Sequence, residues 1–117
     1  MHFVDRQKNL IIRGGENIFP NHIARVVLAY DSIADVQILG IPDDYYGEIV
    51  GCAIILRPGV NFDEMAFRTY LHDHLAVHEM PAFIAVYDQF PLLASGKVDG
   101  LTLRQDMQQK RNAVSGG

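Results

Sequence analysis

The sequence predicts an α+β domain: a small three-stranded sheet with flanking helices, preceded by an N-terminal β-hairpin. Three observations carry that reading. Ile49 to Leu56 is a nearly unbroken apolar run, as expected of a central strand covered on both faces. Gly14-Gly15 separates two short strand-like runs, the signature of a tight hairpin. Ile23, Val26, Val27 and Tyr30 recur at the spacing of one helix face.

Taken in order, Leu10-Ile11-Ile12 reads as a strand that Gly14-Gly15 turns back into Asn17-Ile18-Phe19. Pro20 suits the first turn of a helix, which Asp31-Ser32 ends. Ile33 to Ile41 reads as a strand, broken by Pro42-Asp43-Asp44, with Tyr45 to Glu48 as a loop before the central strand. Arg57-Pro58-Gly59 is a turn. Asn61 with Glu64 three residues on resembles a capping box for a helix from about Asp63 to Leu75. The apolar stripe of that helix is Phe67, Tyr70, Leu71 and Leu75, with Met65 and Ala66 on its flank. Phe83 to Tyr87 reads as the third strand, Leu92 to Gly96 as a loop, and Leu101 to Arg111 as a last helix polar enough for the surface. Residues 113–117 read as a frayed tail.

A chain of 117 residues is near the usual size of one domain, long enough to bury a core without staples. No apolar run approaches the ~20 residues of a membrane span, and Met1 to Lys8 does not read as a signal peptide. Cys52 is the single cysteine and lies in an apolar run, which suits a buried thiol in a reducing, cytoplasmic compartment. The net charge of −4, with basic residues scattered, lacks the footprint of a nucleic-acid binder.

Two segments carry charge that packing does not require. In Pro91 to Arg104 a lysine, Lys97, directly follows Gly96, which holds an ammonium out from the body of the fold. That suits a cation that must reach a negative group on another body. The segment is not a P-loop: Pro91 stands where the motif needs its first glycine, and Val98 rather than Ser or Thr follows the lysine. His74 and His78 stand four apart with His72 and Glu79 nearby, but Pro81 and the helix end break the geometry and no third ligand joins that pair, so they read as solvated helix-end histidines.

Asp5 to Leu10 with Gly14-Gly15-Glu16-Asn17-Ile18-Phe19-Pro20 resembles the stretch that opens the small C-terminal domain of adenylate-forming enzymes. These are the acyl- and aryl-CoA synthetases, the adenylation domains of peptide synthetases and luciferase. Val36 to Pro42 with Asp43 and Gly47-Glu48, then Leu56 to Gly59, then Phe90-Pro91 and Ser95 to Val98, resemble further motifs of that family in the family's order. The Gly14 to Pro20 form and the Leu56 to Gly59 turn look more like CoA ligases than peptide-synthetase domains.

The resemblance implies a two-step reaction, in which a carboxylate and ATP give acyl-AMP and pyrophosphate, and CoA then displaces AMP. It implies that Lys97 is the adenylation lysine, that Lys8 is the hinge, and that Arg6 contacts AMP. It also implies that Gly14 and Gly15 approach the pantetheine arm of CoA, with Glu16 and Asn17 in support. Residues 1–9 would be a hinge or linker and residues 10–112 a lid that rotates on a large N-terminal domain. ATP, CoA and a carboxylic acid substrate would act in the full-length enzyme, with magnesium held by the large domain and no cofactor expected on this chain alone. The lid would be inactive by itself. Two other readings remain open: a free-standing binding or regulatory module of this fold, and the C-terminal part of an adenylation domain that loads a carrier protein. Four positions depart from the family pattern: Glu79 where a basic residue is common, Asp99 and Gly100 after Val98 where basic residues are common, and Ala24 where Glu is common.

Overall fold

The computed structural model describes residues 10–115. Strands β1 (Ile11–Arg13) and β2 (Glu16–Ile18) form the hairpin, followed by α1 (Pro20–Leu28). Strands β3 (Ile33–Asp43) and β4 (Gly47–Leu56), helix α2 (Glu64–His74), a 3-10 turn at Val77–Glu79, β5 (Phe83–Tyr87) and α3 (Gly100–Ser115) complete the chain. The three-stranded sheet has the order β3-β4-β5, with β3 antiparallel and β5 parallel to β4. The predicted fold class is therefore the observed one.

Strand β4 is central in the sheet, and both of its faces are covered, each by a separate core. Val50, Cys52 and Ile54 pack with Ile11, Ile18, Ile23, Val27, Phe67 and Leu71, so this face is covered by the hairpin, α1 and α2. Ile49 and Ala53 on the other face pack with Ile41, Phe90, Leu103 and Met107, so this face is covered by α3. Gly51 lies on the α3 side. A Cβ there would stand 2.6 Å from Ile41 Cγ1 and 3.0 Å from Met107 Cε, too close for either to stay in place.

The structure differs from the sequence expectation in several places, the first being that α1 ends at Leu28, before Tyr30. Strand β3 runs through Pro42 to Asp43, and β4 begins at Gly47, so only Asp44, Tyr45 and Tyr46 form the turn. Proline is tolerated because β3 is an edge strand, with no neighbour on its far side among the described residues. The cap of α2 is Asp63 rather than Asn61: its carboxylate accepts the N–H groups of Met65 and Ala66 at 3.0 and 3.2 Å. Met65 is 79% exposed, so the flank of the predicted stripe faces outward. Helix α3 is not a purely surface element, because Leu103 and Met107 are fully buried. It also continues to Ser115, past the predicted end at Arg111 and into the segment read as tail; Asn112, Ala113 and Val114 include no helix breaker.

Two polar contacts fasten α3 beyond that apolar seam. The Tyr87 hydroxyl donates to Asp106, and burial together with that carboxylate pushes the phenol pKa up. Arg111 donates to Asp43 Oδ1 at 2.7 Å, tying α3 to the end of β3.

Candidate functional site

The segment between β5 and α3 closes on itself. Leu92 and Val98 pair as an antiparallel bridge, and Leu93 N–H donates to the Lys97 carbonyl at 2.7 Å. Gly96 N–H donates back to the Leu93 carbonyl at 2.9 Å, and Gly96 adopts φ +93°. A Cβ would strain that conformation, which accounts for glycine before the lysine. Lys97 is exposed and forms no ion pair among the described residues. Its backbone is thus held at the root of a tight loop while its ammonium stays available.

Asp99 fixes the exit of this loop. Its carboxylate accepts the Thr102 N–H at 3.2 Å and the Thr102 hydroxyl at 2.8 Å, capping α3. The Thr102 hydroxyl, then its N–H, hold the carboxyl pKa below the ordinary 3.8. Asp99 N–H donates to the Pro91 carbonyl at 2.8 Å, which closes the base of the loop. The acidic residue that departs from the family pattern here is therefore a helix cap. The pattern Asp99-x-x-Thr102 ahead of Leu103 is a cap signal legible in the sequence. Beside this loop a groove of ≈ 340 Å³ runs between Val98 and Gly100 on one side and Pro20, Asn21, Gln37 and Leu39 on the other.

The second candidate segment is the hairpin. Gly14 and Gly15 have φ +57° and +88°, and Arg13 pairs with Glu16 across them. Two positive φ values in a two-residue loop define a type I′ turn, which glycine fills with least strain. Gly14, Gly15, Glu16 and Asn17 are all exposed, so the turn presents bare backbone to solvent. It rests on the turn between β3 and β4. Gly14 N–H donates to the Tyr46 carbonyl at 2.9 Å, and the Arg13 guanidinium lies 3.9 Å from the Tyr46 ring centroid. Asp43 shapes that support: it accepts the N–H groups of Tyr45 and Tyr46 at 3.0 and 2.9 Å. The Tyr46 N–H, with help from Arg111 and against burial, holds the Asp43 pKa below 3.8. The two segments stand on different supports, and no described hydrogen bond or ion pair joins Lys97 to the hairpin. Arg6 and Lys8 lie outside the described residues.

The remaining candidate residues have local roles. Glu79 accepts the Ala76 N–H at 2.9 Å and approaches His22 Nε2 at 3.9 Å, so it closes the 3-10 turn. The His74 ring nitrogen Nδ1 meets the Tyr70 carbonyl at 2.8 Å, at the end of α2. Cys52 is fully buried in β4, and burial pushes its thiol pKa up to about 12.

This α+β fold has counterparts among characterised proteins. The sequence model of the AMP-binding enzyme C-terminal domain matches residues 22–97, and the chain belongs to that family. It is 34% identical over 110 residues to the oxalate–CoA ligase of Arabidopsis thaliana, an alignment covering 94% of this chain and 21% of that enzyme. Apo MatB from Rhodopseudomonas palustris superposes with a TM-score of 0.83 at 28% identity, over 90% of this chain and 21% of MatB. The o-succinylbenzoate CoA synthetase MenE from Bacillus subtilis, solved with the acyl-adenylate intermediate OSB-AMP, gives a TM-score of 0.74 at 29% identity. That match covers 83% of this chain and 20% of MenE. The chain thus spans about a fifth of the length of these proteins.

Proposed function

We propose that this chain acts as the mobile lid of an AMP-forming acyl-CoA ligase and serves the two half-reactions with two different parts of its surface. In the first, Lys97 bridges the carboxylate substrate and the α-phosphate of ATP as negative charge gathers between them. A compact ammonium on a flexible stem suits that task. At ~4 Å and an effective dielectric of ~20 the attraction is about 4 kcal/mol, equivalent to roughly 10³-fold in rate. In the second, the Gly14-Gly15 turn comes against the pantetheine arm of CoA, where absent side chains permit close backbone approach. Lys8 is the hinge between the two orientations, Arg6 contacts AMP, and Glu16 and Asn17 support the turn in its approach to CoA. The large domain supplies the ATP and acyl pockets and holds magnesium.

The observation that carries this reading is the exposure of Lys97 on a loop whose own hydrogen bonds fix its backbone, with no described acid paired to its ammonium. The CoA ligases among the matched proteins support CoA as the acceptor. A domain exchange tests it. With the C-terminal fifth of the oxalate–CoA ligase replaced by this chain, oxalate-dependent CoA thioester formation is expected to return above that of the truncated enzyme. The same exchange carrying Lys97→Ala is expected to return none. Equal activity with and without Lys97 contradicts the reading.

A further inference from the structure

The Gly14-Gly15 hairpin is too short to be stable by itself, since a lone two-stranded hairpin is marginal in water. Ile11 and Ile18 anchor it in the core, but the turn lies beyond both. In a two-residue hairpin closed by Arg13 and Glu16, the N–H of Ile12 points away from β2. That N–H donates to Glu48 Oε1 at 3.0 Å, across 36 positions of sequence. Gly40 makes room for the acceptor: a Cβ on residue 40 would stand 2.8 Å from Glu48 Oε2 and 3.3 Å from Ile11 Cγ1. The Tyr46 carbonyl takes the Gly14 N–H, as described above. Two successive outward N–H groups of the hairpin are therefore held by the first residues of β4 and the turn before it.

We propose that Glu48 is a positioning residue that, in the space left by Gly40, sets the height and tilt of the Gly14-Gly15 turn for the thioester-forming step. The proposal rests on the functional reading above. Glu48 touches no reacting atom; it acts through Ile12. Its carboxylate is the acceptor, so a side-chain amide in the same place can still accept the Ile12 N–H through its oxygen. Loss of the group, or its displacement by a Cβ at residue 40, releases the N–H and loosens the turn.

Amide exchange of the isotopically labelled chain reads the contact directly. Glu48→Ala and Gly40→Ala are expected to speed exchange at Ile12 by roughly tenfold relative to Val50 in the core, and Glu48→Gln to keep it near the parent rate. In the ligase carrying this chain, Glu48→Ala is expected to slow transfer from preformed acyl-adenylate to CoA by roughly tenfold and raise KM for CoA. Acyl-adenylate formation is expected to stay within about twofold, with Glu48→Gln restoring most of the transfer rate. An unchanged Ile12 amide overturns the proposal. So does a loosened hairpin with normal transfer, or parallel loss of both half-reactions. If the unsubstituted ligase makes no CoA thioester, the functional reading fails, while exchange at Ile12 still decides whether Glu48 holds the hairpin.

Discussion

Lys97 and Asp99 stand two residues apart and divide the labour of one loop. The lysine is left without a described partner, while the aspartate is fully occupied by Thr102. Because Asp99 and Asp43 both have pKa values held below 3.8, their contributions to stability are complete above that value. They are lost as pH falls through the lowered folded-state values. Thermal melts should therefore show a Tm that is flat from neutral pH to about 5 and falls in stronger acid. Asp99→Asn should lower Tm at neutral pH, and its deficit should shrink as acid removes the same contribution from the parent. A second residue-scale outcome concerns Cys52. With its thiol buried and its pKa raised to about 12, it should resist thiol reagents in the native chain and react only as the chain unfolds.

At the scale of elements, the legible parts were those whose signal is local. The apolar run alone bounds β5 at Phe83 and Tyr87, and Gly14-Gly15 marks the hairpin because two positive φ values demand residues of that kind. Helix α3 was harder. Among its described side chains Leu103 and Met107 are buried, and the exposed Leu101 blurs their periodicity. Asn61 and Asp63 are both good caps, and the choice of Asp63 depends on where the backbone turns helical, which the sequence does not show. Burial of α3 has a measurable consequence. Met107→Ala should cost ~2–5 kcal/mol through the cavity it leaves, read by denaturant unfolding. A cost under ~1 kcal/mol would mean that α3 does not seal the second core.

For the whole molecule, what the sequence could not disclose were contacts between distant positions. Arg111 reaches Asp43 across 68 residues, and Glu48 reaches Ile12 across 36. The resemblance identified the lysine loop and the glycine hairpin. The fold adds that they rest on different supports, the hairpin on the β3–β4 turn and the loop on the closure between β5 and α3. The proposed lid, with two working surfaces, should let one step be damaged while the other survives. The direct measurement is single-turnover analysis of Lys97→Ala in the ligase carrying this chain. Formation of acyl-adenylate from acid and ATP should fall by roughly 10³-fold, while transfer from preformed acyl-adenylate to CoA should change by less than about tenfold. Equal loss in the two half-reactions would contradict the account.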